Sequence, residues 1–114
     1  MTLKVLFVCS KNQWRSPTAE QIFADYPTIE CTSAGLSHDA QNPLTAELVA
    51  WANLIFVMEP KHTVKLRAKY RAQLTSARVI CLNIADNYTF MDPALVLLLE
   101  TKVLRFLPAY RVLK

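Results

Sequence analysis

Hydrophobic positions along this chain follow two alternating patterns. Short runs that are nearly continuous in apolar or β-branched residues are typical of buried strands. These runs are residues 4–8, 28–34, 54–58 and 78–84. After each run, apolar residues recur at the spacing of a helix that packs one face on a core. These stretches are residues 17–26, 45–53, 60–74 and 93–104. The pattern predicts the order β-α-β-α-β-α-β-α.

Two of the predicted helices begin with a capping residue that is followed by proline. Ser16 precedes Pro17, and Asp92 precedes Pro93. Serine and aspartate side chains accept hydrogen bonds from first-turn N–H groups, and proline suits the first helical position because its missing N–H is not needed there. We therefore expect Ser16 and Asp92 to be N-caps.

Strands that are apolar throughout and alternate with helices indicate a parallel sheet covered on both faces. We expect an α/β fold of flavodoxin-like type, with a four-stranded parallel sheet in a single domain of residues 1–114. Ligands of such sheets bind beyond the carboxyl ends of the strands. The loops at that edge, which should surround one cleft, are residues 9–16, 35–44, 59–60 and 85–92.

Composition narrows the class of protein. Of 114 residues, 53% are hydrophobic and 19% are charged, which excludes a disordered chain, and the single glycine, Gly35, excludes a collagen-like one. The longest apolar run, residues 94–99, is far shorter than the roughly 20 residues that span a bilayer. The apolar N-terminal run is too short for a signal peptide. We expect a soluble cytoplasmic protein with no membrane partner.

Cysteine and charge exclude other classes. Three cysteines without a Cys-x-x-Cys pair, and histidines away from finger spacing, favour neither a disulfide framework nor a zinc site, so we expect no metal and no cofactor. The net charge is +4, and no acidic residue lies between Glu59 and Asp86. This basic stretch is either a solvated helix face or a field that attracts phosphoesters or nucleic acid. No aromatic stacking motif supports nucleic-acid binding.

The loop after the first strand has the strongest chemical signal. Residues 9–16 read CSKNQWRS. A loop between a strand and a helix can turn successive N–H groups toward one point at the positive end of the helix dipole, which makes an anion site. Arg15 can add a planar fork for two phosphate oxygens. The same groups would favour the thiolate of Cys9, and the Ser16 hydroxyl can donate to the sulfur. The alternative is a core cysteine beside an ordinary turn.

The segment VLFVCSKNQWRSPTAE resembles the signature of the low-molecular-weight protein tyrosine phosphatases, in which Cys-x5-Arg-Ser follows a hydrophobic strand. The resemblance extends to TSAG at 32–35, LIFVME at 54–59 and Asp92-Pro93, and the short chain is similar to a bacterial subgroup of predicted tyrosine phosphatases. It implies a phosphotyrosine phosphatase I-like fold. It also implies hydrolysis of a phosphorylated protein or a small phosphoester through a cysteinyl-phosphate intermediate.

The resemblance further implies a role for individual residues. Cys9 is the nucleophile, Arg15 the phosphate clamp and Asp92 the general acid, while Asn12 holds the loop with Ser33 as its partner. Tyr88 is expected to support the pocket wall. The loop residues expected to contact phosphate are Ser10, Lys11, Asn12, Gln13, Trp14 and Ser16.

Several of these residues have a second interpretation. Asp92 can serve only as a helix N-cap, in which case Asp86 in the same loop is the alternative acid. Trp14 is expected at the cleft mouth, whereas Tyr88 and Phe90 can line the pocket or pack loop against loop. Cys31 and Cys81 are interpreted as small core residues. His62 begins the basic helix and could contact substrate, but it is interpreted as a surface residue.

The sequence departs from the family pattern at three places. Lys11 stands where a glycine is usual, Trp14 where a second cysteine is common, and Ala94 and Leu95 where aromatic residues often follow the Asp-Pro pair. These changes leave phosphate chemistry intact and leave the preference for phosphotyrosine open. The main alternative function is a non-catalytic phosphate-binding or phosphopeptide-binding module. An arsenate reductase would need two relay cysteines on a flexible segment, and Cys81 stands alone in a strand. The sequence does not indicate an oligomeric state.

Overall fold

A computed structural model describes residues 2–107 of the chain. Within them the strands are β1 (Leu3–Cys9), β2 (Ile29–Gly35), β3 (Leu54–Val57) and β4 (Arg78–Cys81). The helices are α1 (Arg15–Phe23), α2 (Ala46–Trp51), α3 (Pro60–Tyr70) and α4 (Pro93–Val103). Short 3-10 turns extend α3 over Arg71–Gln73 and α4 over Leu104–Phe106. The order of elements is the predicted one.

The four strands form one parallel sheet in the order β2-β1-β3-β4. β1 lies inside the sheet, so that Val5 is paired with Cys31 on one side and with Leu54 on the other. The predicted four-stranded parallel sheet is confirmed. The winding reverses between β1 and β3, and the carboxyl ends of these two strands therefore flank the crevice where such sheets bind ligands.

Helices cover both faces of the sheet because β1 is apolar on both. Val5, Phe7 and Cys9 face a core shared with α1 and α4, whereas Leu6 and Val8 face a core shared with α2 and α3. The Phe7 ring stacks on Phe23 of α1 and Phe56 of β3, with centroids 5.8 and 5.5 Å apart. This packing fixes the end of β1, and with it the position of Cys9.

Two local predictions about element boundaries are wrong. Ser16 is not an N-cap: α1 begins at Arg15, two residues before the predicted start at Pro17, and its N-cap residue, Trp14, makes no side-chain capping bond. The reason is that the Ser16 hydroxyl is engaged with Cys9 and Asn12. β4 ends at Cys81 rather than at residue 84, because Asn83 has a left-handed backbone with φ 55°.

Asp92 is an N-cap, as predicted. Its side chain accepts a hydrogen bond of 2.9 Å from the Ala94 N–H, with Pro93 at the first helical position. α2 is capped in the same way by Thr45, which accepts from the Leu48 N–H. Each cap satisfies one of the N–H groups that a helix leaves free at its start.

The single glycine lies where β2 meets the loop that follows β1. A Cβ atom on Gly35 would lie 2.6 Å from the Ser10 carbonyl oxygen and 2.5 Å from the Ala40 Cβ, both closer than real contacts allow. The backbones also join through the Leu36 N–H, which donates to the Cys9 carbonyl at 2.9 Å. The end of β2 therefore supports the loop directly.

None of the helices between residues 2 and 107 has the length and apolar character that crossing a membrane requires.

Candidate active site

A pocket opens at the carboxyl end of β1, at the predicted edge of the sheet. Its lining residues are Cys9, Ser10, Lys11, Gln13, Trp14, Arg15 and Asp86. Six of them come from the single loop that connects β1 to α1, and Asp86 comes from the segment after β4. The structure therefore brings most of the residues singled out in this loop to one place, while Asn12 and Ser16 lie behind the lining and are buried.

Cys9 lines the pocket and is 3% exposed, and its sulfur is engaged with the loop. It accepts a hydrogen bond from the Asn12 N–H at 3.2 Å and lies 2.9 Å from the Ser16 hydroxyl oxygen. That oxygen also accepts a bond from the Asn12 side-chain amide at 2.9 Å, which leaves the hydroxyl hydrogen available for the sulfur. Two donors aimed at one sulfur stabilise a thiolate, the nucleophilic form of cysteine.

Asn12 holds the loop in a conformation that few residues adopt. Its φ is 56°, in the left-handed region that asparagine tolerates better than most side chains. Its amide donates to Ser16 and to Ser33, each at 2.9 Å, and Ser33 donates to Glu20 at 2.6 Å. The Asn12–Ser33 contact expected from the sequence is thus present. This series of hydrogen bonds ends at the Glu20 carboxylate, which can only accept while it is ionised. Ser33 therefore donates to Glu20 and accepts from the Asn12 amide, and the Ser16 hydroxyl is the side-chain donor left to face Cys9.

Glu20 is a functional candidate that the sequence analysis did not single out. It lies four residues after Ser16 on α1, so that one helix face carries both residues. This spacing is a signal that could have been found. It also leaves a carboxylate beside Cys31, and burial together with the Glu20 charge raises the pKa of that thiol to about 11.

Arg15 lines the pocket, and hydrogen bonds to Glu59 and Ile84 fix its guanidinium group. The side chain is 3% exposed, and its Nη1 donates to the Glu59 carboxylate at 2.6 Å and to the Ile84 carbonyl at 2.8 Å. The hydrogen bond from Arg15 lowers the pKa of Glu59 below its usual range, so the pair is ionised. Within residues 2–107, Nη2 makes no hydrogen bond, and Nε lies 3.7 Å from Asp86. The guanidinium is therefore anchored by one nitrogen and keeps two for a ligand.

The expectation that His62 is a surface residue is wrong, because the ring is fully buried beneath the loop. Its Nδ1 accepts from the Glu59 N–H at 3.0 Å, and its Nε2 lies 2.9 Å from the Ser10 hydroxyl. The Glu59 side chain in turn accepts from the His62 backbone, which completes a capping box at the start of α3. Burial lowers the pKa of His62 to about 4, so the imidazole is neutral. In the sequence, the Glu-x-x-His spacing at the start of a helix could have indicated this capping box and the inward position of His62.

The structure separates the two aspartates considered as general acid. Asp86 lines the pocket and lies 3.7 Å from Arg15, with 63% of its side chain exposed. Asp92 is not among the lining residues, and its carboxylate is used to cap α4. Of the two interpretations of Asp92, the geometry favours the N-cap, and the alternative acid, Asp86, is the carboxylate that meets the pocket.

The remaining predicted residues occupy the rim or lie away from it. Trp14, 39% exposed, and Gln13 line the rim. Lys11 also lines it and forms an exposed ion pair of 2.7 Å with Asp39; the hydrogen bond from Lys11 lowers the pKa of Asp39 to about 2. Tyr88 does not line the pocket and packs against the core beneath α1 and α4. Of its two interpretations, the structure therefore shows packing of the loop and not a pocket wall.

A metal site has no candidate in the part of the chain that the structure describes: no three histidine, cysteine or carboxylate side chains of residues 2–107 are grouped as ligands. The described residues thus offer N–H groups, hydroxyls and one guanidinium around a sulfur.

Comparison with known proteins agrees with this arrangement. The sequence of residues 4–54 matches the family model described as low molecular weight phosphotyrosine protein phosphatase. A comparison with curated proteins found no significant sequence match.

Several of the solved structures that resemble this chain are named as phosphatases. The tyrosine phosphatase Wzb from Escherichia coli K30, in complex with phosphate, has a TM-score of 0.74 at 21% identity, with 93% of this chain and 96% of that chain covered. The Erwinia amylovora tyrosine phosphatase AmsI has a TM-score of 0.69 at 23% identity, with 96% and 95% covered. The YwlE arginine phosphatase from Geobacillus stearothermophilus has a TM-score of 0.72 at 21% identity, with 91% and 90% covered. At these identities the likeness shows the fold. Together with the family match over residues 4–54, it shows that this chain is similar to the low molecular weight phosphotyrosine protein phosphatases.

Proposed function

We propose that this protein hydrolyses phosphomonoesters through a cysteinyl-phosphate intermediate, with a phosphorylated protein side chain as its substrate. One observation carries the proposal: the buried Cys9 sulfur receives two hydrogen bonds at the bottom of a pocket that the Arg15 guanidinium also lines. A stabilised thiolate beside a fixed cation is the arrangement that nucleophilic attack on a phosphate dianion requires.

The substrate binds through its phosphoryl oxygens. The backbone N–H groups of the loop and the start of α1 supply partial positive charge, and the two free nitrogens of Arg15 supply a planar fork. Because Glu59 and the Ile84 carbonyl hold the third nitrogen, the fork is in place before the substrate arrives. Donors that need no rearrangement stabilise the developing charge of the transition state best.

The first step transfers the phosphoryl group to the enzyme. The Cys9 thiolate attacks phosphorus, the S–P bond forms, and the bond between phosphorus and the leaving oxygen breaks. Asp86 gives its proton to that oxygen, since it is the carboxyl group at the pocket. This is general acid catalysis, in which a positioned carboxyl group donates a proton as the bond to the leaving oxygen breaks.

The second step restores the enzyme. The Asp86 carboxylate takes a proton from a water molecule, the water oxygen attacks phosphorus, and the S–P bond breaks to release inorganic phosphate and the thiolate. The Ser16 hydroxyl and the Asn12 N–H stabilise that thiolate as it leaves. Each step uses only protein groups and water, so we infer a metal-independent reaction.

Phosphotyrosine is the substrate side chain that we propose. The family is named for it, and the exposed Trp14 indole at the rim offers a flat apolar face on which a phenyl ring can stack. The fold itself does not decide this, because both tyrosine and arginine phosphatases share it. Lys11 and Asp39 form an ion pair on the same rim, where they can contact the substrate's flanking residues.

The structure does not favour the arsenate reductase alternative. Cys31 lies in β2 and Cys81 in β4, at the two edges of the sheet, and each packs against a different core. With its pKa raised to about 11, Cys31 remains a thiol, which is the unreactive form in thiol–disulfide exchange.

Turnover of p-nitrophenyl phosphate by the wild type and by Cys9→Ser tests the proposal. We expect activity in the wild type that persists in EDTA and is inhibited by vanadate, and none in Cys9→Ser. Arg15→Lys should lose activity by orders of magnitude, because a point charge cannot replace the fork. Phosphate binding without turnover by the wild type would favour the non-catalytic module instead, and activity that EDTA abolishes and a divalent ion restores would contradict the mechanism.

A further inference from the structure

His62 connects the core of the protein to the first residue of the loop after Cys9. We propose that His62 is a positioning residue that fixes the Ser10 hydroxyl as a hydrogen-bond donor to the bound phosphoryl group. This inference rests on the proposed function, since it assigns a further ligand to the same pocket. Both α3 residues involved, Glu59 and His62, lie outside the segment that matches the family model.

The hydrogen bonds of the ring determine its tautomer. Nδ1 accepts from the Glu59 N–H at 3.0 Å, so this nitrogen carries no proton. A neutral imidazole then carries its proton on Nε2, and the atom opposite Nε2 is the Ser10 hydroxyl oxygen at 2.9 Å. His62 is therefore the donor in this bond, and Ser10 is the acceptor.

This direction decides what Ser10 can do. Its hydroxyl oxygen is occupied by His62, so the hydroxyl hydrogen has to point elsewhere. Ser10 lines the pocket, and among residues 2–107 its hydroxyl has no acceptor in the protein. A phosphoryl oxygen in the pocket would be that acceptor. A donor held in place before binding contributes more than one that has to rotate into position.

The first turn of α3 thus acts on both ends of the loop. Glu59 accepts from Arg15, and His62 contacts Ser10. The capping box between Glu59 and His62 makes the two contacts depend on one another, because moving either side chain breaks the cap.

A double-mutant cycle separates positioning from support of the fold. The variants are His62→Gln, Ser10→Ala and the combination, and the readouts are calorimetric binding of inorganic phosphate and kcat/KM on p-nitrophenyl phosphate. Glutamine can still accept the Glu59 N–H, as it does in ordinary capping boxes, but its flexible amide N–H₂ does not hold the fixed direction of the imidazole N–H toward Ser10. Arg67→Gln, on an exposed side of the same helix, is the matched control.

We expect Ser10→Ala to weaken phosphate binding about tenfold, which is the effect of losing one charge-assisted hydrogen bond. His62→Gln should weaken it severalfold in the wild-type background and have no further effect in the Ser10→Ala background. Arg67→Gln should leave binding within about twofold. Effects of His62→Gln and Ser10→Ala that multiply would overturn the inference, because His62 would then not act through Ser10.

Two further results keep the test decisive. A wild type that binds no phosphate would overturn the proposed function itself, whereas normal turnover with multiplying effects would overturn only the role of His62. If His62→Gln does not fold, nitrogen chemical shifts of His62 in the wild type answer the same question. We expect a neutral ring with the proton on Nε2, and a proton on Nδ1 would overturn the inference.

Discussion

At the scale of single residues, the site depends on the direction of each hydrogen bond. Glu20 accepts from Ser33, Ser33 from the Asn12 amide, and Ser16 from that same amide, so the Ser16 hydrogen is left for Cys9. A carboxylate at the far end of the chain thereby orients a donor at the sulfur. At Ser10, the Glu59 N–H donates to His62 Nδ1, so that the His62 Nε2–H is directed at the Ser10 hydroxyl oxygen. Buried polar networks of this kind are effective only when every member has its partner.

Neutral His62 makes the stability of the protein depend on pH. Burial lowers its pKa from 6.5 to about 4; Arg15, Lys61 and Lys65 act in the same direction, and Glu59 opposes them. Between pH 6.5 and about pH 4, His62 is protonated in the unfolded chain and neutral in the native protein. The free energy of unfolding therefore falls as the pH falls through this range. The contribution of His62 amounts to about 2 kcal/mol between pH 7 and pH 5.

Denaturant unfolding of the wild type and of His62→Gln at these two pH values measures that contribution. The wild type should lose more stability than the variant on acidification, because only the wild type has a histidine at this position. Parallel losses in the two proteins would mean that His62 titrates normally in the native state.

The sequence predicts some residues of the site and not others. Cys9, Asn12, Arg15 and Ser16 could be predicted because they lie within one loop, where spacing alone brings them together. Glu59, His62 and Asp86 reach the site from distant segments, and spacing alone does not show how close they come to the loop. Glu20 lies one helical turn after Ser16, a spacing that could have revealed it. His62 was misassigned because a histidine at the start of a basic helix looks solvated until the capping box turns it inward.

At the scale of helices and strands, the starts of the helices do most of the positioning. α1 places Arg15 and Ser16 in its first turn, and α3 places Glu59 and His62 around its own. α4 also begins with a charged residue, Asp92, but this carboxylate serves the helix rather than the pocket. The boundaries that sequence patterns missed, at Ser16 and after Cys81, are those where tertiary contacts replace the local preference.

Substituting the two aspartates distinguishes the capping residue from the acid. Asp92→Ala should cost about 1 kcal/mol of stability with little loss of activity, and Asp92→Asn should cost less because asparagine also caps. Asp86→Asn should keep the stability and lower kcat, more for phenyl phosphate than for p-nitrophenyl phosphate, because nitrophenolate leaves without a proton. Steady-state kinetics with both substrates checks this. A leaving-group dependence at Asp92 and none at Asp86 would return the role of the acid to Asp92.

The close packing of β2 on the loop gives a second prediction at this scale. Gly35→Ala should impair phosphate binding and activity while the sheet still forms, because the new methyl group would meet the Ser10 carbonyl oxygen and force the loop to move. Phosphate calorimetry and circular dichroism follow the two effects separately. Ala34→Gly, one residue earlier in the same strand, is the control for a general weakening of β2. Unchanged phosphate affinity in Gly35→Ala would show that the loop does not depend on this contact.

At the scale of the whole molecule, the order β2-β1-β3-β4 explains why one edge holds the site. β1 has a neighbour on each side, its carboxyl end lies beside the point where the winding reverses, and the loop that follows it meets segments after β2, β3 and β4. Alternation and apolar strands predicted this architecture from the sequence. They could not predict which side chain of each later loop reaches the pocket, because that depends on turns such as the left-handed Asn83.

The proposed phosphatase mechanism depends on one covalent step at Cys9. Rapid mixing of the protein with p-nitrophenyl phosphate, acid quenching and mass spectrometry of the peptides measures it directly. We expect a phosphoryl group on the Cys9 peptide, more of it in Asp86→Asn if loss of the base slows hydrolysis more than transfer, and none in Cys9→Ser. Turnover by Cys9→Ser, or a phosphoryl group on a different residue of an active enzyme, would contradict the account.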